Sequence, residues 1–230
     1  MIGIYDYTML LTFCSLVSAS LGIIISLIGS AHPFIGMFFL LFSGLCDAFD
    51  GKVARTKKNR TEMENKFGIQ LDSLSDVVAF GILPTCIGAA LVHRSDVFDF
   101  GKSGWGLVFS IVCYTIMGMY ALTAMIRLAY FNVTEEERQK TETGTRKYYL
   151  GLPVTSASLI FPFVLLIQYI CDKFLNVDIT LAYFAIMLIT SIAFVSKFQL
   201  KKPGLRIILV MVGIGVLEAA IMVVAILATK

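Results

Sequence analysis

The sequence predicts an all-α polytopic membrane helical bundle, and three observations carry that expectation. Hydrophobic residues fill 57% of the 230 positions and charged ones only 15%, with a mean hydropathy of +0.83, whereas a soluble domain carries about 25% charge. The apolar residues are gathered in runs, several close to the ~20 residues that a bilayer demands of a helix. The basic residues collect between alternate runs.

In chain order the apolar spans lie near 8–29, 33–50, 69–92, 105–131, 152–171, 178–197 and 204–228. The first lacks a basic n-region and is long enough to cross and stay, so no cleavable signal peptide is expected. Gly213 and Gly215 leave open whether the last, C-terminal span 204–228 is one helix or two. Fifteen of the 19 Lys and Arg residues fall on one side, within 52–66, 127–147 and 197–206; the other side has Arg94, Lys102, Lys173 and Lys230. Such a bias orients the rich side to the cytoplasm. It puts the N-terminus inside and, after seven spans, the C-terminus outside. With short connectors and no internal repeat or low-complexity tract, residues 1–230 read as a single integral membrane domain. Cys14, Cys46, Cys86, Cys113 and Cys171 are scattered through apolar runs without CxxC spacing and read as small packing residues.

Two cytoplasmic stretches stand out. Residues 51–67 continue the second and third helices beyond the membrane, with a turn near Lys58-Asn59. The loop 132–150 is rich in Glu and Lys; it starts helical and ends as a loop before Gly151-Leu152-Pro153.

Asp47 and Asp50 end the second span, and Asp72 and Asp76 lie inside the start of the third. A charge near the centre of a membrane helix costs about 2.5–3.5 kcal/mol on insertion scales, so four unpaired ones would cost on the order of 10 kcal/mol. Spacings of three and four put each pair on one helix face. Because the two spans are consecutive and antiparallel, both faces can converge. Four oxygen-donor carboxylates with no His or Cys at ligand spacing favour Mg²⁺, Mn²⁺ or Ca²⁺ over zinc. The plain alternative is an ion-paired helix cap using Lys52 and Arg55, which would leave two anions unbalanced.

The segment reads Asp47-Ala-Phe-Asp50-Gly51-Lys-Val-Ala54-Arg55, then Gly68-Ile-Gln-Leu-Asp72-Ser-Leu-Ser-Asp76. This signature region, 47–76, resembles that of the CDP-alcohol phosphotransferases, D-x-x-D-G-x-x-A-R followed by G-x-x-x-D-x-x-x-D, and matches all eight fixed positions. The resemblance implies a six-helix catalytic core, to which this chain adds one or two C-terminal helices. It also implies a homodimer, and one or two Mg²⁺ or Mn²⁺ ions held by Asp47, Asp50, Asp72 and Asp76. The implied nucleotide contacts are Gly51, Ala54, Arg55 and Gly68. The implied reaction is attack of an alcohol on the β-phosphorus of a CDP-linked lipid, with release of CMP. One departure is the spacer: residues 56–67 make twelve where the family has eight. Four extra residues add roughly 6 Å and 40° of rotation if absorbed in a helix, which nearly keeps the faces. The residues fit this chemistry on their own terms. Gly51 and Gly68 allow close approach of a phosphate or base, Arg55 offers a planar fork, and Asp76, deepest in the third span, is the candidate catalytic base.

Downstream, Met125-Ile-Arg127-Leu-Ala-Tyr-Phe131-Asn132 and Tyr148-Tyr149-Leu150-Gly151-Leu152-Pro153 look like the phosphatidylserine synthase branch of that family. The implied acceptor is L-serine, giving phosphatidylserine or its ether-lipid counterpart, archaetidylserine. Its carboxylate needs a cation from Arg127, Arg146 or Lys147, and Asn132 can serve its polar groups. The plainer readings are membrane anchoring for the cations and a helix C-cap for Asn132. Glu218 is an isolated acid in the last span and reads as a packing or subunit contact. No nucleic-acid partner is expected. The rivals are a sibling enzyme that uses glycerol phosphate or inositol phosphate, which wants several cations for a second phosphate, and a cation transporter, which would place its acids near the midplane, often with repeats.

Overall fold

The fold is that of a computed structural model describing residues 3–28, 32–95, 98, 105–141 and 148–229. Among these residues eight α-helices run in order: α1 (Leu10–Leu27), α2 (Pro33–Ala54), α3 (Glu62–Asp76), α4 (Leu83–Arg94), α5 (Gly106–Thr141), α6 (Ala157–Ile170), α7 (Thr180–Val195) and α8 (Leu205–Ala228). α3 and α4 form one rod through a π turn at Val77–Ile82, which leaves seven helical rods among the described residues. Six of these rods are long and apolar enough, among the described residues, to span a membrane. The seventh, α7, has 16 residues, about 24 Å of rise. It still runs from one side to the other. At its start Gln168 donates to Asp178 (3.1 Å) and Thr180 (2.9 Å), and at its end the Leu152 amide donates to the Ala193 carbonyl (3.0 Å). α8 is one unbroken helix through Gly213 and Gly215, which settles the question those glycines raised.

Small residues set the packing. Ser15, Ser18, Ala19, Gly22 and Ser26 form the buried stripe of α1, letting it lie closely against α2, as expected where lipid supplies no hydrophobic drive. Ser43 donates to the Ser15 carbonyl (3.1 Å) and Ser18 to that of Phe39 (3.0 Å). Gly44, one turn before Asp47, abuts the Ser158 side chain so tightly that no Cβ fits there. This contact brings the start of α6 to the aspartate-bearing end of α2.

The π turn has a local cause. Pro84 has no N–H to give the Phe80 carbonyl four residues back, and in lipid that carbonyl needs a partner. The Tyr120 hydroxyl donates to it (2.7 Å), and Tyr183 donates to the Pro84 carbonyl (2.8 Å). Both tyrosines are fully buried.

On the aspartate side the connectors are tied together. A two-stranded antiparallel ribbon, β1 (Tyr148–Leu150) with β2 (Gln199–Lys201), joins the segment before α6 to the one before α8. Gly151 follows at φ +70°, where a Cβ would lie 2.9 Å from the Phe194 carbonyl and 3.0 Å from that of Ser196. Gly151→Ala is expected to lose about 1–3 kcal/mol from strain alone and to lower the melting temperature of the detergent-solubilised protein; an unchanged melting curve would contradict the geometry.

The N-terminal segment crosses the α2–α3 connection on the same side. Lys57 Nζ lies 2.8 Å from Asp6 and 2.9 Å from Glu64, Tyr7 and Thr56 hydroxyls are 3.1 Å apart, and Arg60 donates to Thr8 (2.6 Å). The hydrogen bond from Lys57 holds the Asp6 carboxyl below the usual aspartate range. The pair therefore stays charged at neutral pH and is lost only as pH falls through that lowered value. Thr61 and Glu64 form a reciprocal capping box that starts α3.

Candidate active site

Asp47 and Asp50 come from the last turns of α2, Asp72 and Asp76 from the last turns of α3. The structure brings the first three together: one carboxylate oxygen each from Asp47, Asp50 and Asp72 lies within 4.8 Å of the others. The carboxyls of Asp50 and Asp72 are within hydrogen-bonding range, and the Gly51 amide donates to Asp50. Asp76 stands outside that trio, one turn deeper, only 7% exposed, and within electrostatic reach of Arg127. Among the described residues no ion pair joins Lys52 or Arg55 to any of the four aspartates, which removes the support for an ion-paired cap. A trio of half-buried, mutually close carboxylates is a hard-oxygen donor set, and it fits Mg²⁺ or Mn²⁺.

The aspartates form one end of a cavity of about 860 Å³. Its polar end holds all four aspartates with Gly51, Lys52, Arg55, Ser73, Arg127 and Asn132. Its other end is apolar, walled by Phe38, Leu41, Phe42 and Leu45 of α2 and by Met211, Val212, Gly215, Val216 and Ala219 of α8. The site is therefore amphipathic along its length.

Of the expected nucleotide contacts, Gly51 and Arg55 line this cavity. A Cβ at Gly51 would meet nothing nearer than the Arg55 guanidinium at 3.7 Å, so the glycine faces free volume. Ala54 is half-buried and outside the lining, and Gly68 faces Arg60 (3.5 Å) and Met9 (3.8 Å) instead. Arg127 is buried, donates from Nε to the Leu152 carbonyl (3.1 Å) and lies over the Phe131 ring (4.9 Å). It thus anchors the Gly-Leu-Pro segment as well as lining the site. Asn132 donates to the Ser73 hydroxyl (2.6 Å), tying α5 to α3 beside Asp72. Arg146 and Lys147 lie outside the described residues.

Three features escaped the sequence reading. Lys52 Nζ is buried with no hydrogen-bond partner among the described residues, 4.6 Å over the Phe49 ring, on a residue that lines the cavity. Ser73 was hidden as a variable position of the motif. Lys201 and Lys202 reach the cavity only because β2 pairs with β1, and Lys202 stacks over Tyr149 (5.8 Å).

The profile of the CDP-alcohol phosphatidyltransferase family matches residues 7–229. This chain belongs to that family. A CDP-diacylglycerol–serine O-phosphatidyltransferase of Saccharomyces cerevisiae is 34% identical over 159 residues, covering 67% of this chain and 51% of the relative. One of the same description from Helicobacter pylori is 30% identical over 144 residues, covering 62% and 51%. The archaetidylserine synthase of Methanothermobacter thermautotrophicus is 31% identical over 150 residues, covering 65% and 53%. The chain thus matches about half the length of these relatives. No solved structure matches it. Family membership makes the protein an integral membrane protein in agreement with its apolar helices, and the carboxylate trio of the CDP-alcohol phosphatidyltransferase motif is where a divalent metal fits.

Proposed function

We propose that the protein transfers a phosphatidyl-type group from a CDP-linked lipid to the hydroxyl of L-serine and releases CMP. The observation that carries this reading is the amphipathic cavity: carboxylates and cations at one end, an apolar wall between α2 and α8 at the other. A lipid nucleotide has the same division. Its pyrophosphate suits the polar end and its tails suit the wall of α8. The relatives described as serine enzymes support the acceptor.

In this reading Asp47, Asp50 and Asp72 hold the metal, which when bound neutralises the pyrophosphate and the charge that develops on the oxygens. Asp76, set apart from the trio, accepts the proton of the serine hydroxyl. The serine oxygen forms a bond to the β-phosphorus, the anhydride bond breaks, and CMP leaves with the electron pair. Arg55 and Lys52 contact phosphate oxygens, which would give the buried Lys52 charge its partner. Arg127 and Asn132, with Arg146 and Lys147, bind the polar groups of serine. We infer a cytoplasmic site from the charge bias of the connectors and a homodimer from the family pattern.

CMP release in detergent, with CDP-diacylglycerol or its ether analogue and a panel of alcohols, tests the proposal; no release with serine above the water blank would reject it. Lys201 and Lys202 favour one second reading, a phosphorylated alcohol whose extra phosphate they would hold. Competition of serine against glycerol phosphate and inositol phosphate separates the two. Gly51→Leu is expected to fill the free volume beside Arg55 and weaken CDP-lipid binding by roughly 10-fold or more, since overpacking costs about 1–3 kcal/mol. Normal CDP-lipid affinity in that variant would contradict close approach at Gly51.

A further inference from the structure

The α2–α3 connection is the part of the site least determined by the two helices that flank it. α2 ends at Ala54 and α3 begins at Glu62, so of the twelve spacer residues 56–61 form an irregular segment and 62–67 the first turns of α3. Arg55 sits at the very start of that segment, as the C-cap of α2, exposed and lining the cavity. Among the described residues no ion pair fixes its guanidinium. Its direction therefore depends on the backbone that follows it.

That backbone is gripped from outside. Three consecutive residues ahead of α1 each take one residue of the connection: Asp6 takes Lys57, Tyr7 takes Thr56 and Thr8 takes Arg60. The grip reaches both flanks. Thr56 is the neighbour of Arg55 and also donates to the Val53 carbonyl (2.7 Å). Arg60 lies over Gly68, one turn before Asp72, and Lys57 also pairs with Glu64 in the first turn of α3. The Asp6, Lys57 and Glu64 side chains are 12%, 27% and 21% exposed, so the contacts are partly withdrawn from water. The tip, Lys58-Asn59, is exposed, as is Thr56.

We propose that Asp6, Tyr7 and Thr8 are positioning residues that clamp the α2–α3 connection and so aim Arg55 at the nucleotide end of the cavity. The clamp touches neither substrate nor the aspartates. It acts on how well the CDP moiety is held, and it leaves the transfer step, once the lipid is bound, to the residues of α2 and α3. This rests on the reading that a CDP-linked lipid occupies the cavity.

The test uses the full-length protein in detergent, as wild type, Asp6→Asn/Thr8→Val, and Asp6→Glu. The double variant is expected to raise the KM for CDP-lipid by about fivefold, the ceiling for one partly exposed ion pair, with kcat and the KM for serine within about twofold. Asp6→Glu keeps the charge and returns the KM to near wild type. Calorimetric titration with CDP, which needs no turnover, should show the same shift in affinity. An unchanged KM and CDP affinity in the double variant overturns the clamp, and so does a fall in kcat at unchanged KM, which is the mark of partly unfolded enzyme. Wild type that binds CDP but releases no CMP rejects the transfer reading and leaves the titration to decide the clamp; wild type that does not bind CDP overturns both.

Discussion

Asp47→Asn is expected to remove metal binding and turnover together. The substitution keeps the shape of the side chain and removes one negative charge from a trio whose oxygens lie within 4.8 Å of one another. At an effective dielectric near 20, one unit charge facing another across about 4 Å contributes about 4 kcal/mol. A single carboxylate in the trio is therefore worth about 10³-fold in affinity for a divalent ion, before its double charge is counted. CMP release should fall to the blank at Mn²⁺ concentrations that saturate the wild type. Mn²⁺ titration followed by electron paramagnetic resonance, on detergent-solubilised protein, reads the affinity directly. A variant that binds Mn²⁺ like wild type would show that Asp47 is not a ligand.

Asp76→Asn should behave differently. Asp76 lies outside the trio, buried at 7% exposure on the side of Arg127. Its loss is expected to lower kcat by about 10²–10⁴, the usual range for a general base, while Mn²⁺ affinity changes by less than the loss in Asp47→Asn. A group that takes the serine proton must be deprotonated to act, so the acidic limb of the wild-type pH–rate profile should vanish in this variant. Equal loss of metal affinity in both variants would make Asp76 an ordinary ligand and leave the base to another group.

The spans and the four aspartates were legible in the sequence for the same reason: bilayer thickness fixes helix length, and a carboxylate in an apolar run stands out against it. Spacings of three and four put Asp47 on one face with Asp50 and Asp72 on one face with Asp76; the antiparallel return of α3 brings Asp72 to the first pair, while Asp76 stands a turn away from the trio. The ribbon was not legible. Its strands are three residues each, far apart in the chain, and too short to show an alternating pattern. Lys202 reaches the cavity only through that pairing. The clamp was hidden likewise, because the contact between Asp6 and Lys57 spans 51 residues and uses residue types that any polar connector carries. Gly68 was expected at the nucleotide from the motif alone. In the structure Arg60 lies over it, a contact that the motif spacing does not encode.

The break at Val77–Ile82 has a bearing on how this chain can change over generations. A π turn holds one residue more than an α-helix would use for the same turn, and here Tyr120 and Tyr183 already take the carbonyls around it. Each residue gained or lost in a helix turns everything beyond it by about 100°. A one-residue insertion or deletion at this junction would therefore re-side α4 against α1, α2, α5 and α7 while Asp72, upstream, keeps facing Asp47 and Asp50. Because Leu83, Ile87 and Leu91 of α4 lie in the core, such a change would be felt in the packing of α4 before it reached the carboxylates.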